Sequence, residues 1–176
     1  AKCLPVARAM LGAEAGPITV STLREADEFA AAGFTDITYA VGITANKLAH
    51  VARLLAAGVR LTVILDSVDA ARALVAAAAG FAAPLAVLIE IDTDAHRAGI
   101  APTDAPALLA VAAALQHPQV QLMGVLTHLD KFKANKENEA LHDRMYPIYV
   151  PYNLRVDDEV RIYKKMINSS QFSHID

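Results

Sequence analysis

The sequence has no tryptophan, a single cysteine, and no glycine beyond Gly124. One cysteine, Cys3, cannot build an internal disulfide, which fits a reducing compartment such as the cytoplasm. Excess charge of one sign is missing too. Sixteen basic residues against 19 acidic ones leave a net charge of −3, and no basic face accumulates to meet nucleic acid. There is no apolar run of membrane-spanning character. The uncharged, apolar stretch 73–89 is alanine-rich and is broken by Gly80 and Pro84, so it reads as helix, turn and strand. No secretory signal is visible, and the opening on Ala1 instead of methionine is read as a missing upstream piece. No Gly-rich phosphate fingerprint follows any apolar segment. No Gly-x-Ser-x-Gly or Cys/His pair offers a nucleophile, and no second histidine or cysteine stands at ligand spacing from His96, so no metal site is expected.

What is present is an apolar chain of 176 residues, 55% hydrophobic, long enough to bury a sizeable core. Up to about residue 128 it repeats one unit, a short β-rich segment followed by one amphipathic helix. The expected strands are Ile18–Val20, Asp36–Val41, Leu61–Leu65, Leu85–Ile91 and Leu122–Leu126. Thr22 and Glu25 have the spacing of a capping box, Ser67 can cap a helix, and Pro106 suits a first helical turn after Asp104. Gly33, Gly58 and Gly80 stand where helices should stop. Strands alternating with single helices imply right-handed βαβ units and a parallel sheet. That leaves an open doubly wound sheet or a (β/α)₈ barrel, and five strands make only a partial barrel.

The fourth strand carries the densest chemistry. It is an uninterrupted apolar run to Ile89, after which Glu90, Asp92, Asp94, His96 and Arg97 crowd into eight residues before Gly99. Parallel α/β folds build their sites where charge collects at the carboxyl ends of buried strands. Thr127 and His128 close the fifth strand in the same way, and histidine there can act as acid, base or cofactor contact. A solvated loop and a rim histidine are the plain alternatives. Ser21, Tyr39, Asp66, Asp92, Arg97 and His128 are expected near one end of the sheet. His50 is expected on a helix surface.

After His128 the composition changes. Residues 1–128 hold 34 of the alanines, all eight glycines, one tyrosine and one asparagine, whereas 129–176 hold two alanines, no glycine, four tyrosines and four asparagines. The chain is therefore divided into a partial (β/α) barrel, 1–128, and a divergent tail, 129–176, which is either a strayed terminal segment or a stretch of different origin.

Several stretches carry a resemblance. Lys2-Cys3-Leu4-Pro5-Val6-Ala7-Arg8, Ile18-Thr19-Val20-Ser21-Thr22 with Glu25-Ala26, Glu90 through Ile100, and Gly124-Val125-Leu126-Thr127-His128 follow one another in order. Together they resemble the pyridoxal-phosphate barrels of the D-threonine aldolase and D-serine dehydratase-like family, which shares its barrel with the amino-terminal domain of alanine racemase. The resemblance implies a lyase acting on small D-3-hydroxyamino acids, with pyridoxal phosphate as cofactor and possible homo-oligomers. It implies cofactor contacts at Arg97, which would adjust the charge of the ring, and at His128, Thr127 and Tyr39. It also implies a departure. Lys2 matches the later of two family lysines, so the Schiff-base lysine would fall just before Ala1. The expectation is a barrel fragment inactive as it stands, and the alternative is a non-catalytic binding module on a βα scaffold.

Overall fold

The computed structural model describes residues 4–11, 15–93 and 98–127. The tail, 129–176, lies outside them. Helix α1 (Leu4–Leu11) is followed by β1 (Ile18–Val20), α2 (Leu23–Ala31), β2 (Asp36–Gly42), a 3₁₀ turn (Ala45–Lys47), α3 (Leu48–Ala56), β3 (Arg60–Leu65), α4 (Val68–Ala78), β4 (Leu85–Glu90), α5 (Ala105–Ala114) and β5 (Val120–Leu126). All four pairings are parallel and the strand order is β1-β2-β3-β4-β5, so each strand lies beside its predecessor. No described strand runs antiparallel to its neighbour. This is a five-stranded portion of a (β/α) barrel.

Local sequence sets the helix ends. The Thr22 hydroxyl accepts from the Glu25 amide at 3.1 Å, while the Glu25 carboxylate accepts from the amides of Ser21 (2.8 Å) and Thr22 (3.1 Å). That reciprocal box satisfies donors the first turn of α2 would otherwise leave open. Replacing Thr22 by alanine is expected to cost about 1 kcal/mol in urea unfolding, the usual worth of such a cap. Ser67 and Asp104 cap α4 and α5 through the amides of Ala70 (3.3 Å) and Ala107 (3.0 Å). At the other ends of α2 and α3 one turn occurs twice. Phe34 and Val59 donate their amides to the carbonyls of Phe29 (3.0 Å) and Leu54 (3.1 Å), five residues back, across Gly33 and Gly58. Both glycines hold positive φ, +94° and +83°, as this C-cap requires.

Alternation along the strands decides which face meets the helices. Ile18, Val20, Ile37, Tyr39, Leu61, Val63, Leu65, Leu85, Val87 and Ile89 are buried, and they join Leu23, Phe29, Val51, Leu54, Leu74 and Val111 of the helices in one core. In β1 to β4 the opposite face is more open, and one row of it runs Thr19, Thr38, Thr62, Ala86, Gln121 in direct register. The pattern weakens at β5. Leu122 and Val125 pair with the core residues Val87 and Ile89 yet stay 38% and 41% exposed. Among the described residues no helix follows β5 to cover them.

The strand expectations agree with the structure to within two residues at each end. Helix α1, over Leu4–Leu11, is an addition. It places Ala7 in the core, and Arg8 reaches the Ala32 carbonyl at 3.4 Å.

Candidate functional site at the carboxyl end of the sheet

The strands run parallel, so their carboxyl ends share one side. The chain leaves that side through Ser21 after β1, Ile43 after β2, Asp66 after β3, Ile91 after β4 and Thr127 after β5. Ser21 and Asp66 immediately precede helix-capping residues, so their backbones are fixed by a strand on one side and a helix on the other.

The exit from β4 is the most elaborate of the five. Beyond Glu90 the chain keeps an extended course. The Ile91 amide donates to the Leu126 carbonyl at 2.9 Å, which prolongs the pairing with β5. On its other flank β3 has already turned away at Asp66, and Ile100 occupies the place beside Ile91. Those two form a parallel bridge, with the Asp92 amide on the Ile100 carbonyl and the Ile100 amide on the Glu90 carbonyl, both at 2.9 Å. The chain therefore departs from the sheet after Ile91 and is back beside it at Ile100, which is buried at 6% exposure where it re-enters.

Side chains hold that neck from both flanks. On the β5 side the Thr127 hydroxyl donates to the Ile91 carbonyl at 3.0 Å and lies 3.1 Å from the Thr93 hydroxyl. On the β3 side the Asp66 carboxylate accepts from the Gly99 amide at 3.0 Å. Gly99 has φ +131°, and a Cβ there would sit 2.6 Å from the Asp92 nitrogen, so the closure needs a residue without a side chain. Glu90 and Asp92 also stand at this strand end, and both are engaged in polar interactions.

Of the four expected cofactor contacts, Thr127 is at the mouth. Tyr39 is at the carboxyl half of β2, but its side chain is turned to the helix layer and only 1% exposed. Lys47 closes over it, the ammonium donating to the phenol oxygen at 2.5 Å and lying 5.1 Å from the ring centroid. Three inter-strand steps, about 14 Å, separate β2 from β5, so Tyr39 and Thr127 are not neighbours. Arg97 and His128 lie outside the described residues, as do Asp94 and His96. Ser21, Asp66 and Asp92 are at the expected end. His50, read as a surface helix residue, ties α3 to α2 through the Asp27 carboxylate at 2.9 Å and is only partly exposed. Sequence reading missed the partnerships of Lys47 and Gly99. Lys47 belongs to a short 3₁₀ turn without periodic signal, and Gly99 meets a residue 33 positions away.

Comparison with known proteins matches residues 1–145 to the family described as alanine racemase, N-terminal domain. D-threo-3-hydroxyaspartate dehydratase of Delftia sp. (strain HT23) is 46% identical over 127 residues, 72% of this chain and 33% of the relative. Its solved structure superposes with a TM-score of 0.66 at 43% identity, over 81% of this chain and 38% of that one. D-threonine aldolase from Filomicrobium marinum superposes with a TM-score of 0.55 at 28% identity, over 67% of this chain and 31% of that one. The chain thus spans about a third of the length of the dehydratase it matches. A shorter likeness is to the ATP-dependent protease PrkA of Bacillus subtilis (strain 168), 49% identical over 49 residues, 28% of this chain and 8% of that protein.

Proposed function

Because this chain belongs to the alanine racemase N-terminal domain family, we propose that it forms part of the barrel of a pyridoxal-phosphate-dependent lyase of D-3-hydroxyamino acids. One observation carries this reading: the 46% identity to D-threo-3-hydroxyaspartate dehydratase over 127 residues, 72% of the chain. Its substrate would be a small D-amino acid bearing a hydroxyl on the β-carbon.

The described residues fit the rim of such a site and not its anchor. Thr93 and Thr127 place hydroxyls, and Glu90 and Asp92 place carboxylates that already have polar partners, at one strand end, a polar rim of the kind that lines sites for small polar ligands. The one lysine among the described residues, Lys47, is engaged by Tyr39, so none of them offers an amine to bond the cofactor aldehyde. When bound, pyridoxal phosphate supplies an electron sink for the substrate α-carbon. What these residues contribute is placement. Thr127 ties the exits of β4 and β5 together, and Asp66 and Gly99 fix where the acidic loop returns. Arg97 and His128 would face the cofactor from that loop and from the end of β5.

The test is a titration of the full chain with pyridoxal 5′-phosphate, followed by absorbance, with borohydride trapping and assays on D-threonine and D-threo-3-hydroxyaspartate. Reversible binding is expected, with no stoichiometric borohydride label and negligible turnover by these 176 residues. Failure to bind at millimolar cofactor would favour the non-catalytic module. Rapid turnover would show that another amine does the lysine's work.

A second proposal concerns residues 129–176. The dehydratase and PrkA likenesses, 127 and 49 residues long, are together as long as the chain. That length match supports a junction of two lineages, with the PrkA-like stretch at the carboxyl end. On this reading the junction would lie between the change of composition at 128 and the end of the family match at 145. No nucleotide hydrolysis is assigned to the tail, since a stretch without glycine cannot form a Gly-rich phosphate cradle. Limited proteolysis should cut first between about 129 and 145 and leave a persistent amino-terminal fragment. A tail as resistant as the βα units would count against separate origin.

A further inference from the structure

The neck at Ile91 and Ile100 raises the question of what fixes the chain's return to the sheet. At the end of β3, Leu65 pairs with Ile89, and the next residue, Asp66, already leads into α4. Its backbone is therefore held between a central strand and a helix N-terminus whose cap is its neighbour Ser67. From that anchored origin its carboxylate reaches the Gly99 amide at 3.0 Å in a half-buried contact. A carboxylate accepting a backbone N–H away from bulk water is among the stronger hydrogen bonds available to a loop. On the far flank the equivalent tie is Thr127, which holds Ile91 and Thr93 at the departing end. One end of the loop is thus fastened to β5 and the other to β3.

We propose that Asp66 is a positioning residue: through the Gly99 amide it fixes the return of the chain to the sheet at Ile100, and so the placement of Asp92 and Thr93 at the carboxyl end of the sheet. Its positioning role rests on the reading that this end is the cofactor mouth. The hydrogen bond itself does not. Asparagine keeps a side-chain oxygen that can accept from Gly99, and alanine does not, so the pair of substitutions separates acceptor from charge and bulk.

The experiment uses the full chain and its Asp66→Ala and Asp66→Asn variants, with amide hydrogen exchange by NMR and titration with pyridoxal 5′-phosphate. In Asp66→Ala, exchange at Gly99 and Asp92 should rise about tenfold or more, the scale of a lost hydrogen bond to a charged group. Val63 and Val87 should keep their protection, and the affinity for pyridoxal 5′-phosphate should fall. Asp66→Asn should stay within about threefold of the parent on both readouts. Unchanged exchange at Gly99 in Asp66→Ala would overturn the proposal, as would Asp66→Asn behaving like Asp66→Ala. An equal rise at Val63 would also overturn it, since Asp66 would then support the whole fold. If the parent binds no pyridoxal 5′-phosphate, the exchange results still decide the clamp, and only the assignment of the mouth falls.

Discussion

Replacing Phe34 by alanine is expected to destabilise the protein by about 3–5 kcal/mol, close to the limit for a single core truncation. Phe34 is 1% exposed and stands edge-on to Phe29, with ring centroids 5.4 Å apart and planes at 78°. The two rings meet because Phe34 is the residue whose amide closes the C-cap of α2 onto the Phe29 carbonyl. The substitution removes the apolar contact that accompanies this cap, opens a cavity between α2 and β2, and loses the aromatic pair itself. Urea unfolding measures the loss. Leu109→Ala on α5, at 68% exposure, is the matched control and should stay within about 0.5 kcal/mol of the parent. A loss below about 1.5 kcal/mol for Phe34→Ala would mean that the α2–β2 corner collapses to fill the void, contrary to the packing described.

Gly99→Ala should cost about 2–4 kcal/mol from two separate causes. One is the backbone conformation, φ +131°, which side chains avoid. The other is collision: the added Cβ would lie 2.6 Å from the Asp92 nitrogen and 3.0 Å from the Ile91 carbonyl carbon, and a backbone cannot swing aside as a flexible side chain can. Gly33→Ala isolates the first cause, because φ there is also positive, at +94°, while a Cβ at that position would meet nothing within 4 Å. It should cost about 1–2 kcal/mol. Denaturation midpoints of the two variants decide the matter. Equal losses would remove the collision from the account and with it the tight closure of the loop neck.

The sheet was legible in the sequence because every strand there obeys two local rules at once. Leu61–Leu65 and Leu85–Ile91 are segments of strand length, apolar but for Thr62 and Glu90, and each is bounded by a helix stop such as Gly58 or Gly80 or by a cap such as Ser67. The capping box of Thr22 and Glu25 formed as its spacing predicts, since only four consecutive residues take part. Helix α1 gave less warning. Its eight residues include Pro5, and of those whose burial is described Ala7 alone is fully buried, so tertiary support outweighs periodicity. The candidate site divides along the same line. That Asp66, Asp92 and Thr127 share one end follows from parallel strands. That Asp66 meets Gly99, and that Tyr39 faces the helices beneath Lys47, depends on register and on a bulge between Tyr39 and Gly42, neither of which periodicity encodes.

The strand order β1-β2-β3-β4-β5 also bears on how the chain reaches its fold during synthesis. Each strand pairs with the one made just before it, so no contact in the sheet waits for a distant segment to leave the ribosome. At about 5–20 residues per second, one βα unit of roughly 25 residues emerges in about 1–5 s, whereas hairpins and helices form in microseconds. Every unit therefore has ample time to dock on its predecessor before the next appears, and assembly can proceed as ordered growth from one edge. The price is that the growing edge is always the newest strand, which stays open to pairing until its successor arrives.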